Sequence, residues 1–305
     1  MKNARVLAVV VCAMAVANFA SADTIRGINI DFVTIGNAGN AADTQVMTGG
    51  TGDGTTGYGA VNYAYRVGKY EVTNAQWNAF TAAAGVPTGN DDGYSSPAYF
   101  TGAQQPTNKV TWYEAAQFCN YLTSGDKSKG AYLFSGNNAN PGSFIGIDRI
   151  AAQTAPYSNG TIYVIPTENE WYKAAYFKPN GSGYSLYANG LNTLPSADNG
   201  WNYSGGTYDV FPWNVGTGTK EQNDTFDMMG NVWEWNETPL YVSARGQRGG
   251  AYYASGASYL ASSFRGASGA YDWNPDTGFR VATVPEPATL LLLGLGAALL
   301  RRKKH

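Results

Sequence analysis

Any chemistry performed by this chain has to be done almost without sulfur or imidazole. Its 305 residues include 2 Cys and 1 His. Cys12 lies in an N-terminal apolar run and His305 is the last residue, so the body keeps Cys119 as its thiol and has no histidine. A Ser-His-Asp or Cys-His catalyst, a His-ligated zinc or iron site and a Cys-rich metal knuckle each need side chains this body lacks. One cysteine cannot build an internal disulfide framework. Carboxylates are more plentiful, and Glu168 and Glu170 are close enough in sequence to suggest an acid/base pair. A capping role explains Glu170, however, and helix-dipole stabilisation explains Glu168, so no glycosidase is read from them. Tyr99, Phe100, Tyr252, Tyr253, Tyr271 and Trp273 fall in loop-like segments, where rings either stack on sugar faces or fill core.

The elements that must position these groups are partly visible. Thr73 with Gln76, Thr111 with Glu114, and Thr167 with Glu170 each form a capping-box pattern, a Thr followed three residues later by Gln or Glu. Apolar residues then recur on one face: Trp77, Phe80 and Ala84; Ala115, Phe118, Cys119 and Leu122; Trp171, Ala174 and Ala175. Cys119 therefore reads as a small core hydrophobe rather than a reactive thiol. Strands are expected at 28–35, 63–72, 162–165 and 278–283. The Gly/Thr-rich run 48–57 reads as a flexible loop inserted after the first strand. Few helices and many short strands give an α+β class. With 38 Gly and 34 Tyr and Phe alongside 8 Trp, the chain has enough aromatic surface to bury, which argues against disorder. Residues 23–283 carry 14 Lys and Arg against 21 Asp and Glu, a formal charge of −7, which excludes a general nucleic-acid-binding surface.

Both ends read as addresses. Lys2 and Arg5, the apolar run 6–17 and Ala20-Ser21-Ala22 before Asp23 form a signal peptide over 1–22. At the other end, Pro285-Glu286-Pro287 precedes an apolar stretch over 288–300 and the basic run Arg301-Arg302-Lys303-Lys304. Thirteen apolar residues span roughly 20 Å as a helix, short of a hydrocarbon core of roughly 30 Å, so the segment suits transient membrane retention better than a permanent anchor. Residues 284–305 resemble the PEP-CTERM sorting signal, also known as the ice-binding protein C-terminal domain. The resemblance implies export in a Gram-negative-type bacterium, transient membrane contact through the C-terminal helix, and processing by an exosortase-type enzyme. The expected destination is the cell envelope, cell surface or extracellular matrix.

Between the addresses, residues 23–283 read as one domain. Six stretches occur in a telling order: Tyr70-Glu71-Val72-Thr73-Asn74; Lys109-Val110-Thr111-Trp112 with Glu114-Ala115-Ala116; Ile165-Pro166-Thr167-Glu168-Asn169-Glu170-Trp171; Gly230-Asn231-Val232-Trp233-Glu234-Trp235; Arg248-Gly249-Gly250-Ala251-Tyr252; and Gly278-Phe279-Arg280. Together, over roughly residues 26 to 283, they resemble the sulfatase-modifying-factor, or formylglycine-generating-enzyme, family. The resemblance implies an irregular α+β fold of the C-type-lectin-like kind, with short helices and a small sheet. Active members oxidise a substrate cysteine to formylglycine with oxygen, using two copper-holding cysteines placed after the Gly-Gly pair. Ala254 and Tyr259 occupy those positions here, and neither a methyl nor a phenol replaces a soft thiolate. Copper is therefore not expected as a cofactor.

The resemblance also implies calcium. The family's site around Gly-Asn-x-Trp-Glu-Trp maps onto the Asp227 side chain, the Gly230 and Val232 carbonyls and the Glu234 carboxylate, oxygen donors of the kind a hard cation needs. A second site maps loosely near Asn199, Gly200 and Asp209. Either ion would serve as a structural cofactor. The competing reading leaves Glu234 hydrogen-bonded within its own surroundings and Trp233 and Trp235 in the core. Arg265 and Arg280 correspond to family arginines and read as buried ion-pair partners. The sequence thus points to an exported, non-catalytic binding or structural module whose partner is a glycan or a cell-surface or matrix protein. The alternative is a formylglycine-generating oxidoreductase that activates sulfatases through a non-standard metal site.

Overall fold

Strand β1 (Ser21–Ile25) turns through Arg26 and Gly27, at φ 52° and 84°, into β2 (Ile28–Ile35). Two successive positive φ values match the right-handed twist of a tight hairpin, and glycine supplies one of them without a steric penalty. The computed structural model describes residues 21–51, 54–87, 100–158, 160–197, 200–204, 211–241, 243–254 and 256–284. Along the rest of the chain follow β3 (Gly49–Gly50), β4 (Tyr65–Gly68), α1 (Asn74–Ala84), α2 (Trp112–Ser124), β5 (Tyr132–Phe134), β6 (Phe144–Ile147) and α3 (Arg149–Thr154). The C-terminal half adds β7 (Ile162–Val164), α4 (Glu168–Tyr176), β8 (Trp233–Leu240), β9 (Ala244–Arg248), α5 (Ala257–Leu260), β10 (Phe264–Gly269), β11 (Thr277–Gly278) and β12 (Ala282–Val284).

One sheet runs β1-β2-β4-β12-β7, with the last strand of the described chain inserted between β4 and β7. The other runs β11-β8-β9-β10-β3, and β5 and β6 form a separate hairpin. This is the expected irregular α+β architecture, with long loops hung on small sheets. All three capping boxes form: each Thr side chain accepts the backbone N–H three residues on, and each Gln or Glu reaches back to the Thr N–H. Helices α1 and α2 meet through aromatic rings. Trp77 stacks on Phe118 at 5.7 Å, and Phe80 and Phe279 close edge-on around them. Cys119 lies fully buried on the same helix, and burial pushes its thiol pKa well up, which suppresses the thiolate.

Three sequence expectations change. The 63–72 strand shortens to Tyr65–Gly68, and 278–283 divides into β11 and β12, because Arg280 leaves the ladder to bury its guanidinium. The Gly/Thr-rich run is no free loop where it is described. Gly49 and Gly50 pair in parallel with Phe264 and Arg265, and Met47 exchanges hydrogen bonds with Gly54 and Thr55. A Cβ at Gly50 would strike the Arg265 carbonyl, so glycine there permits a close backbone approach.

Candidate functional site

The stretch Asp227 to Trp235 is shaped by backbone that ordinary residues avoid. Asp227, Gly230 and Asn231 have φ values of 61°, 89° and 59°. A side chain at Gly230 would collide with the Asn202 carbonyl. Asn tolerates the left-handed region, and the Asn231 amide repays it by bridging: Nδ2 donates to Glu71 at 2.6 Å, while Oδ1 accepts from Asn202 at 3.0 Å and from the Trp213 N–H at 2.8 Å. Glu71 also accepts the Val232 N–H at 3.2 Å. Sequence reasoning quoted Glu71 without giving it a role, yet it holds this loop.

Behind the loop lies a buried group of carboxylates around one guanidinium. Arg280 donates to both oxygens of Glu234, at 2.5 and 2.6 Å, and to the carbonyls of Gly68 and Phe226. The Trp171 indole donates to the same carboxylate at 2.7 Å. Glu234 and Arg280 are both fully buried. Arg280 also feels the charges of Glu71 and Glu221. Burial first, and neighbouring negative charge second, push the Glu71 pKa well above the carboxylate range. Burial raises Glu221 to about 8 and Asp227 to about 6. Glu221 Oε1 is buried without a hydrogen-bond partner.

This arrangement tests the predicted calcium donors. Among the described residues, no three carboxylate, thiol or imidazole side chains converge into a metal cluster. Glu234 spends both oxygens on Arg280 and Trp171. Asp227 is less committed: Oδ2 accepts the Gly216 N–H at 2.9 Å. Asp227 Oδ1 and the Gly200 carbonyl both lie within 4 Å of one point beside Gly218, so the two predicted donor sets adjoin through these residues. Of the two predicted side-chain donors Asp227 is thus the less committed to protein partners, and Glu221 Oε1 is a further buried oxygen without one. Asn199 and Asp209 lie outside the described residues.

Arg265 and Arg280 are buried ion-pair partners, as read. Arg265 and Arg248 both grip Glu168, the latter at 2.6 Å, so Glu168 serves as an anion between two guanidiniums rather than as a dipole charge alone. Glu170 closes its capping box and also pairs with Arg149 at 2.9 Å and accepts the Tyr63 hydroxyl at 2.6 Å. Neither glutamate lines either of the two cavities described below.

The positions of the family cysteines do open onto one. Gly249 and Gly250, at φ 98° and 77°, carry the chain from β9 into a turn, and the Gly249 carbonyl accepts the Gly230 N–H at 2.9 Å. Ala254 then lies buried at the wall of a cavity of about 180 Å³, with Tyr259 of α5, Trp233 at the start of β8, and Tyr253. The Trp233 and Tyr259 rings stand at 87°, their centroids 6.3 Å apart, and Phe264 backs Tyr259 at 4.8 Å. Tyr253 donates to the Asp276 carboxylate at 2.5 Å. Trp235, by contrast, is core. Of the other aromatics, Phe100 packs edge-on against Tyr252 and Phe211, Tyr271 lies on Tyr113, Trp273 sits under the Lys109 ammonium, and Tyr99 is outside the described residues.

Residues 41–284 match the Sulfatase-modifying factor enzyme 1-like domain. The chain belongs to this family. Residues 283–304 match the PEP-CTERM protein-sorting motif, which implies export to the cell envelope or surface and processing by an exosortase-type enzyme. Pro285, Glu286, Pro287, Arg301 and Arg302 of that signal lie outside the described residues. Among the described residues no helix is long and apolar enough to cross a membrane. A protein of Paenibacillus barcinonensis named chaperone protein LppX is 26% identical over 237 residues, which cover 71% of this chain and 79% of that protein. The fold is similar to Treponema denticola variable protein 1, with a TM-score of 0.60, 21% identity and coverage of 89% of this chain and 100% of the other. It is also similar to CarF, with a TM-score of 0.58, 21% identity and coverage of 83% and 97%. PvdO from Pseudomonas aeruginosa gives a TM-score of 0.56 and 17% identity, covering 84% and 94%.

Proposed function

We propose that this family member is a non-catalytic binding module delivered to the bacterial envelope or extracellular matrix. The observation that carries the reading is the chemistry at Ala254 and Tyr259. A methyl and a phenol line the cleft where the formylglycine-generating members place two thiolates, and Cys119 is buried in α2, away from the residues lining that cleft. A two-sulfur copper site cannot be assembled from one inaccessible thiol. The export signal over residues 1–22 and the sorting motif are consistent with a role outside the cytoplasm.

A glycan is the partner class favoured here. A cavity of about 510 Å³ opens between β2, the N-terminal turn of α1 and the loop at Val215. Asn29, Asp31, Gln76 and Gln104 line it beside the Tyr70 ring. Amides and a carboxylate next to an aromatic face suit sugar hydroxyls and sugar C–H surfaces, and the volume falls within the range of about 300–1,000 Å³ typical of small-ligand sites. Calcium, held by Asp227 with the Gly230, Val232 and Gly200 carbonyls, would supply countercharge to the buried carboxylates and stiffen the loop.

The test is turnover. The mature protein, incubated with copper, oxygen and a Cys-x-Pro-x-Arg peptide, is expected to give no aldehyde product by mass spectrometry. Formylglycine above the metal-free blank contradicts the non-catalytic reading.

A further inference from the structure

We propose that the cleft at Ala254 and Tyr259 is an aromatic cage for a small organic cation, with an alkylated ammonium head group as its ligand. The proposal rests on the reading that this cleft no longer holds copper. It assigns the space a different chemistry from the polar cavity at Asn29 and Asp31.

Three rings surround the space. Trp233 and Tyr259 meet at 87°, so they present perpendicular walls, and Tyr253 forms a third. The faces of aromatic rings carry negative charge density, and a cation seated among them is attracted by each; Trp is the strongest partner. Solvent reaches the site from the tyrosine side, since Tyr253 is 51% and Tyr259 39% exposed.

Charge sets the sign of the ligand. The buried Asp276 carboxylate accepts the Tyr253 hydroxyl at the edge of the cleft, which enriches that ring and puts a formal negative charge behind it. Among the described residues, no Lys or Arg forms a salt bridge with Asp276. Elsewhere the chain covers its rings with its own cations: Lys109 over Trp273, Arg245 over Trp112, Arg248 over Tyr58. Among the described residues no such cation lies over Trp233, Tyr253 or Tyr259. An excess of acidic over basic residues in the body adds a field that attracts positive ligands.

Size and hydration narrow the class. The cavity of about 180 Å³ is below the range of about 300–1,000 Å³ of drug-sized sites, which fits one head group and excludes an oligosaccharide. Its walls among the described residues are three aromatic rings and the Ala254 methyl, with no carboxylate for a hard metal ion. A primary ammonium is strongly hydrated and gives up water reluctantly, whereas an alkylated one presents methyl groups and a diffuse charge to the rings.

The experiment compares choline chloride with its neutral isostere, 3,3-dimethylbutan-1-ol, by isothermal titration and ligand-observed NMR on the mature chain. Saturable choline binding, at least ten-fold weaker for the isostere, is expected. Tyr259→Ala should weaken choline at least ten-fold, while Tyr259→Phe, which keeps the ring, should stay within about three-fold; an unchanged melting temperature and circular dichroism establish folding of both. Equal binding of choline and isostere, no saturable choline binding, or a Tyr259→Ala protein that binds like the parent overturns the cage. The peptide-oxidation assay run on the same sample separates the two readings. Absent choline binding with no formylglycine overturns the cage alone, and formylglycine formation overturns the non-catalytic reading beneath it.

Discussion

Arg280 is the residue on which the interior charge balance turns. It supplies two hydrogen bonds to Glu234 and a field felt by Glu71, Glu221 and Asp227. Arg280→Met would keep much of the packing but leave Glu234 buried and uncompensated. A loss of about 3–5 kcal/mol is expected, read as a lower urea midpoint, and a loss below about 1 kcal/mol would contradict this role. The carboxylates around it set a pH dependence. In chelator, Asp227 holds its proton to about pH 6 and Glu221 to about pH 8, whereas unfolded carboxyls release theirs near pH 4. Between these values the folded state binds more protons than the unfolded state, so stability falls as pH rises. Melting temperatures measured from pH 5 to 8 should therefore decline. Asp227→Asn should flatten the lower part of the decline, and calcium, which binds the ionised form, should flatten all of it. A slope that neither change alters would exclude the Asp227 site. The family resemblance made Ala254 and Tyr259 legible, because its cysteine positions are counted from the Gly-Gly pair. The engagement of Glu234 by Arg280 was not legible, since the partner lies 46 residues away and spacing carries no information about it.

At the scale of elements, legibility followed sequence distance. The boxes at Thr73, Thr111 and Thr167 were readable because donor and acceptor are three residues apart, and each starts its helix where expected. Helix α3 is capped by Asp148, whose carboxylate accepts the Ala151 N–H without a reciprocal box, and α5 is four residues with no side-chain cap, so neither announced itself. The pairing of β3 with β10 joins Gly50 to Arg265 across the whole domain, and composition alone suggested a loose loop there. Thr167→Ala tests the best-connected cap. It removes the acceptor for the Glu170 N–H and loosens a glutamate that also holds Arg149 and Tyr63. The expected cost is about 1–2 kcal/mol, at or above that of an ordinary N-cap, measured by denaturant unfolding against Thr73→Ala on the more exposed α1 box. Equal losses at the two caps would mean that the Arg149 network adds nothing.

At the scale of the whole molecule, the domain and its sorting signal are separable. β12 ends at Val284 inside the first sheet, and the PEP-CTERM match begins at residue 283. A chain truncated after Val284 should fold with the melting temperature of the mature protein and appear in the medium rather than with the membrane fraction. Retention of the truncated chain by membranes would contradict the role of residues 285–305. A non-catalytic role requires that the intact mature protein hold no copper ion. Competition of the parent protein and of an Ala254→Cys/Tyr259→Cys variant with a chromogenic Cu(I) chelator measures this directly. The parent is expected to leave the chelator saturated and the double-cysteine variant to withdraw one equivalent. One tightly held Cu(I) per molecule of parent protein would contradict the non-catalytic role.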